Sequence, residues 1–283
     1  MAFKREIEMI IASQNSNISS GVLISDLDID FDITRTNTRQ NNESKFTIYN
    51  AKQDTREKIL TNGNLVILKA GYEDEKNIGI VSTGTIIESS SMKKRTDWIT
   101  KIECLDLLGN QDKLEYAIIS ISYKSKTPFV AILQDIAGQL GIPISGLENV
   151  TFITNNGFVY AGNFTNLIKR ISNILYNQNL GFYYDNNEIV IYRIAPANSA
   201  FSIARITKFT GLLGNVEQIT NKDKDDNKKR IKFDYMINPK LKPNSVFILN
   251  SENIKGVFVA EKIRIIGDNY GGNNFKMTVE AVE

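Results

Sequence analysis

The chain of 283 residues contains no histidine. Imidazole is the usual general base near neutral pH and a common metal ligand, so Ser-His-Asp triads, Cys-His pairs and histidine zinc sites are excluded. A single cysteine, Cys104, rules out intrachain disulfides, thiolate zinc sites and iron–sulfur clusters. It also suits folding in a reducing compartment. No run approaches the ~18 consecutive apolar residues of a bilayer-spanning helix. Met9–Ala12, the apolar stretch nearest the start, is too short for a signal-peptide core. Charge of one sign is missing as well: 34 Lys and Arg against 32 Asp and Glu leave +2, too little to draw the whole molecule to nucleic acid or anionic lipid. Walker and dinucleotide glycine fingerprints are absent. An enzyme built from this chain would be left with carboxylate, lysine, tyrosine or cofactor chemistry.

What is present is ordinary globular material, 42% hydrophobic and 23% charged, in a length that suggests about two domains. Such a chain buries a core without staples. Over the first ~110 residues apolar positions recur every second residue in runs rich in Ile, Val, Thr, Phe and Tyr, the period of strands. Leu27, Ile29, Phe31 and Ile33 alternate with Asp26, Asp28, Asp30 and Asp32; Phe46 and Ile48, Val66–Leu68, Ile78–Ile87 and Trp98–Leu105 continue the pattern. Several short strands that must pair their edges predict a small closed or nearly closed barrel.

Near residue 127 the period changes. Phe129, Ile132, Leu133, Ile136, Ala137 and Leu140 form one helical stripe, with Thr127 as the expected N-cap, Pro128 at the first helical position and Gly141 just past the end. A second stripe, Leu167, Ile168, Ile171, Ile174 and Leu175, is capped by Thr165 or Asn163. A hairpin follows, Phe182–Tyr184 and Ile189–Tyr192 around Asp185, Asn186 and Asn187. Strand periodicity returns at Ile206–Leu212, Ile231–Tyr235, Val246–Leu249, Val257–Ile266 and Phe275–Val282. The two β-rich ends share a layout: Leu65–Leu68 matches Val246–Leu249, Ile78–Glu88 matches Lys255–Gly267, and Ile99–Leu105 matches Phe275–Val282. The fold class is mainly β (α+β): two related small barrels at 1–115 and 198–283, with an α/β domain at 116–197 inserted between them.

Candidate chemistry is sparse. Asp26, Asp28, Asp30 and Asp32 stand two apart, so a strand places them on one face at ~6.6 Å spacing. A calcium loop needs Gly at its sixth position and Glu at its twelfth, where Phe31 and Asn37 stand. The run therefore reads as the solvent- or interface-facing side of an amphipathic strand. Lys222–Arg230 mixes signs and lacks interleaved aromatics, unlike a phosphate-binding face. It reads as a surface loop, as do Lys93, Lys94 and Arg95 at a hairpin tip. Asn269–Asn274 fits a strand-connecting turn with no helix to aim at phosphate. Tyr160, Tyr176, Tyr183, Tyr184 and Tyr192 offer stacking area but read as packing. The triplets at Asn42, Asn149 and Asn163 carry no weight without an export signal. No catalytic, cofactor-binding or metal-binding residue is assigned.

The ordered set of motifs resembles the baseplate hub family of contractile phage tails, including the late control protein D group and the hub part of type VI secretion spikes. The likeness rests on Leu27–Ile33, Phe46–Asn50 with Thr55, Arg56 and Gly63, and Leu68–Tyr72 leading to Gly84. At the other end it rests on Thr210–Gly214, Asn238-Pro239, Leu241–Pro243, Gly256–Lys262, Asp268 and Phe275–Glu280. Asn244-Ser245 departs from the glycine expected after Pro243. The resemblance implies a structural, non-catalytic hub: a homotrimer whose six barrels match a sixfold tail tube or tube-initiator protein on one side and a threefold central spike on the other. Other baseplate proteins would be neighbours, without nucleic-acid binding, membrane insertion or a cofactor. The hub would sit in the baseplate of a virion tail, or of a phage-tail-like particle, assembled in the host bacterial cytoplasm. The alternative is a glycan- or peptidoglycan-binding tail protein that uses the middle-domain tyrosines.

Overall fold

The computed structural model describes residues 4–13, 21–61, 63–73, 77–106, 118–194, 204–220, 228–271 and 274–283. The first β-rich segment contributes β1 (Arg5–Ala12), β2 (Val22–Ile24), β3 (Ile29–Thr36), β4 (Glu43–Tyr49), β5 (Leu65–Tyr72), β6 (Gly79–Lys94) and β7 (Asp97–Leu105). A short helix, α1 (Gln53–Ile59), follows β4. Its one buried side chain, Ile59, enters the core, while Arg56 lies over the Trp98 ring at 3.7 Å. The last segment contributes β13 (Ala204–Ile206), β14 (Leu212–Ile219), β15 (Arg230–Tyr235), β16 (Val246–Asn250), β17 (Lys255–Asp268) and β18 (Phe275–Val282).

All of these strands belong to one 13-stranded sheet, ordered β14-β15-β18-β17-β3-β4-β7-β6-β5-β1-β2, with β16 on β17 and β13 on β16. The mainly β class holds, but of the closed or nearly closed barrels expected, neither half closes on itself among the described residues. The outer edge of β3, which a closed barrel would satisfy within its own half, is taken instead by β17, from Thr36 opposite Lys262 to Asp30 opposite Asp268. Leaving that edge bare would strand a row of backbone groups. The alternation seen in the sequence is the alternation of burial: Ile29, Phe31 and Ile33 face one core that also holds Phe233, Phe247, Ile263, Ile265 and Met277. That core is continuous across both halves. Tyr72 of β5 donates its hydroxyl to the Phe275 carbonyl at 2.8 Å, and Arg5 of β1 reaches Asp268 at 3.1 Å, so the sheet curls until its first strands meet its last.

The suggested internal repeat is present in the strand order. β5-β6-β7-β4-β3 and β16-β17-β18-β15-β14 run in the same sequence with every pairing antiparallel. A bulge falls at the same place in both, between Ile86 and Glu88 on β6 and between Ala260 and Lys262 on β17. Even the turn before β5 and β16 is shared. Gly63 N donates to the Ile86 carbonyl and Ile86 N to that of Asn64; Asn244 N donates to Ala260 and Ala260 N to Ser245. Gly63 and Asn244 both occupy the left-handed region, φ 85° and 64°. Asparagine tolerates that conformation, which explains how the departure from glycine is accommodated. The repeat ends at the outer strand, where β1 is antiparallel to β5 but β13 is parallel to β16.

Residues 118–194 form a second core. β8 (Ile118–Tyr123) pairs with β10 (Phe158–Asn163), and β9 (Ile144–Ser145) lies parallel to β12 (Glu188–Arg193), which forms a hairpin with β11 (Leu180–Asp185). Helices α2 (Phe129–Leu140) and α3 (Phe164–Tyr176) pack Phe129, Ile132, Leu133, Leu167, Ile171 and Leu175 against these strands. Gly141 ends α2 at φ 67°, as expected. The N-terminus differs: Pro128, not Thr127, is the cap residue, because Phe129 N is satisfied by the Phe152 carbonyl and the Thr127 hydroxyl turns back to Lys124. Of the two caps offered for α3 the structure uses Asn163, whose Oδ1 accepts from Asn166 N at 2.9 Å.

A second correction concerns Ile206–Leu212, read as one strand. Residues 207–211 are a tight turn, with Thr210 Oγ1 accepting from Thr207 N at 2.8 Å and donating to the Arg205 carbonyl at 2.9 Å. Gly211 follows at φ 107°, a left-handed conformation that glycine supplies at the end of the turn.

Candidate assembly interface

The polar residues singled out in the sequence fall into three places. On the outer face of the sheet, Asp32 of β3 receives a bidentate pair from Arg264 of β17, Nε to Oδ1 at 2.9 Å and Nη2 to Oδ2 at 2.6 Å. Asp30 accepts from Tyr49 at 2.9 Å and Tyr270 at 2.5 Å, whose rings meet edge to face. Hydrogen bonding to this carboxylate is the main reason the Tyr270 hydroxyl is harder to ionise than usual. Asp26 and Asp28 are exposed beside it. The aspartate run is thus half consumed in stitching β3 to β17. Among the described residues no cluster of three or more metal-ligating side chains occurs. Asn269 completes the seam, accepting from Ile29 N at 2.8 Å and donating to the Leu27 carbonyl at 2.7 Å.

The second place is a buried polar junction that the sequence reading did not anticipate. The hairpin β11–β12 turns through Asn186 and Asn187, both at positive φ, and its tip enters the sheet. There Arg35 of β3, 1% exposed, donates Nε to Asp185 Oδ1 at 2.8 Å and Nη2 to Oδ2 at 2.6 Å; its Nη1 has no hydrogen-bond partner among the described residues. Asp106 Oδ2 accepts from Asn42 Nδ2 and from Asn186 N, and Asn42 also bonds the Tyr184 carbonyl. Asn186 Oδ1 caps Thr83 N on β6, while Tyr183 donates to the Pro243 carbonyl in the other half. Burial raises the Asp106 pKa to about 7 against the pull of Asn42 and Arg35. Burial also pushes the Tyr183 hydroxyl and the Cys104 thiol well above their ordinary values, leaving Cys104 inert on β7. The tyrosines of the middle segment do not make one platform: Tyr183 and Tyr192 lie together, Tyr184 meets Phe182, Tyr160 bonds the Asn163 carbonyl, and Tyr176 is exposed on α3.

The third place comprises the free edges. β14 pairs with β15 alone, and its outer side carries no strand among the described residues. The preceding turn displays Phe209 at 88% exposure beside a cleft of about 460 Å³. β6 is paired with β5 only as far as Thr85, so on that side Glu88–Lys94 have no strand partner among the described residues and end in the basic tip of Lys93, Lys94 and Arg95. Most of the Lys222–Arg230 run, and part of the 269–274 turn, lie outside the described residues. Of the three triplet asparagines, Asn42 is buried and Asn163 caps a helix.

Among the described residues the duplicated sheet leaves the outer side of β14 and the Glu88–Lys94 stretch of β6 without a strand partner. A sequence model of a family described as baseplate hub gp41 matches residues 7–253. The chain belongs to that baseplate hub family. The fold agrees. It is similar to a tail protein of Neisseria meningitidis MC58 (TM-score 0.62, 9% identity, 98% of this chain and 97% of that one). It is similar also to the 43 kDa tail protein of prophage MuSo2 from Shewanella oneidensis (0.63, 9%, 98% and 96%). A type VI secretion component of E. coli, itself similar to T4 tail proteins gp27 and gp5, matches at TM-score 0.57 and 7% identity over 96% and 76%. No curated protein matches the sequence. The hub protein is accordingly a structural component of the phage-tail type.

Proposed function

We propose that this hub protein is a non-catalytic adaptor that assembles as a homotrimer between the tail tube, or a tube-initiator protein, and the central spike. The observation that carries this reading is the repeat: two halves with one strand order, one bulge position and one turn geometry give three chains six quasi-equivalent sheet units. Six units match a sixfold tube while the chain count remains three for a spike. Closed cyclic symmetry is the usual solution for such rings. Units at 1–115, 116–197 and 198–283 are the working division, with other baseplate proteins as further partners and assembly in the host cytoplasm.

Light scattering after size exclusion tests it. The expected mass is three times 31.9 kDa, and retention on immobilised glycan or cell wall is not expected. A monomer at every concentration that also binds cell wall would replace the hub reading by that of a glycan-binding tail protein.

A further inference from the structure

The buried polar junction is also the place where two cores meet. The core of the large sheet and that of residues 118–194 are separate, and among the described residues no buried apolar side chain belongs to both. Residues 183–188, the tip of the β11–β12 hairpin, carry the polar ties between them. Asp185 takes the bidentate pair from Arg35, and the Tyr184 carbonyl accepts from Asn42. Asn186 donates its amide to Asp106 and accepts from Thr83 N, Tyr183 donates to the Pro243 carbonyl, and Glu188 stands 3.8 Å from Lys242. An apolar joint is held by the area it removes from water, whereas groups of this kind regain hydrogen bonds in water when they part. Charge balance inside the joint therefore decides how firmly it holds.

That balance is complete without Asp106, because Arg35 and Asp185 already neutralise one another. A charge on Asp106 is surplus. The groups that act on its carboxyl are Arg35 from β3, Asp185 from β11 and Cys104 from β7, with Tyr183 of β11 beside Arg35 and the neutral Asn42 and Asn186 donating to Oδ2. We propose that the hairpin tip is a proton-controlled latch: it leaves the sheet with both cores folded, and loss of the Asp106 proton favours its release. The contacts concerned lie within one chain, so the inference does not depend on the trimer. Its sign follows from burial. In the joint, burial raises the Asp106 pKa to about 7, whereas a carboxyl returned to water titrates near ~4. The proton is held more tightly in the latched state, so its contribution to latching is complete below the ordinary value and is lost as pH rises through about 7. Between about pH 5 and about pH 8 the release equilibrium should rise roughly 80-fold. The chain has no histidine to titrate over that range, and Arg35, Tyr183 and Cys104 are shifted upward, away from it.

Hydrogen exchange in the full chain tests it, read at single amides across that pH range and divided by the intrinsic rate at each pH. The amides of Thr83 and Asn186 are bonded across the joint, so their opening constants report release. In the wild-type protein both should rise together, roughly 80-fold, and level off above about pH 7. Amides of Leu133, Ile171 and Met277, inside the two cores, should open at least about tenfold less often at every pH. Asp106→Asn keeps an acceptor but cannot ionise, and should hold both joint amides at their low-pH level throughout. Joint amides that open no more often than the core amides overturn release with the cores folded. A flat wild-type profile, or the same rise in Asp106→Asn, overturns control by this proton. The wild-type curve decides even where the variant does not fold, because a rise that continues unbent past about pH 8 belongs to another group and overturns the assignment to Asp106.

Discussion

Arg35 and Asp106 are where single residues matter most. Arg35 spans from the sheet to the hairpin tip fully buried, and removing one member of a buried ion pair leaves the other charge uncompensated. Arg35→Ala is expected to cost about 3–5 kcal/mol, read as a shift in urea midpoint. Asp106 has a folded pKa of about 7, raised chiefly by burial above the ordinary carboxylate value. Its proton is therefore held more tightly in the folded than in the unfolded chain. That contribution to stability is complete below the unfolded pKa and is lost as pH rises through the folded one. Asp106→Asn carries no such dependence. Between about pH 4 and about pH 7 the wild-type protein should lose stability relative to this variant; parallel urea midpoints across that range would contradict it. Neither residue stood out in the sequence, because a lone arginine on an otherwise alternating strand looks like any solvent-facing position. Only burial separates Arg35 from Arg264, which the same strand region meets in the open.

The duplicated elements make their own predictions. Gly63 and Asn244 serve the same turn in the left-handed region, and a Cβ at Gly63 would meet nothing within 4 Å. Gly63→Asn should therefore cost less than about 1 kcal/mol, and Asn244→Gly should be neutral within about the same margin, whereas Gly63→Val should cost more because a β-branched side chain is poorly tolerated at positive φ. Thermal unfolding of the three variants is the measurement. Helices and hairpin were legible from stripes and from the Asp-Asn-Asn turn, since those signals are local. The helix start was misplaced by one residue because Phe152, distant in sequence, supplies the carbonyl that a cap would otherwise supply. α1 escaped notice for a related reason: one buried isoleucine in a seven-residue helix leaves no stripe to read.

For the molecule as a whole, the proposed assembly would draw on exposed apolar groups such as Phe209. Phe209 is held out by a hydrogen-bonded threonine turn rather than by a loose loop. Phe209→Ser should leave the unfolding midpoint of the monomer within about 0.5 kcal/mol of wild type. It should lower the oligomer fraction at fixed concentration in sedimentation velocity, and unchanged assembly would remove this residue from the contact. The sequence by itself determined the mainly β class, the α/β piece in the middle, the repeat, the absence of histidine chemistry and the family resemblance, all properties carried by local period and by order along the chain. The tertiary structure alone decided that β17 completes β3, joining the halves in one open sheet, and that Arg35 and Asp185 meet in its interior. Strand partners and buried charges 150 or more positions apart leave no trace in periodicity. Which edge is filled is a matter of hydrogen-bond satisfaction across the whole sheet.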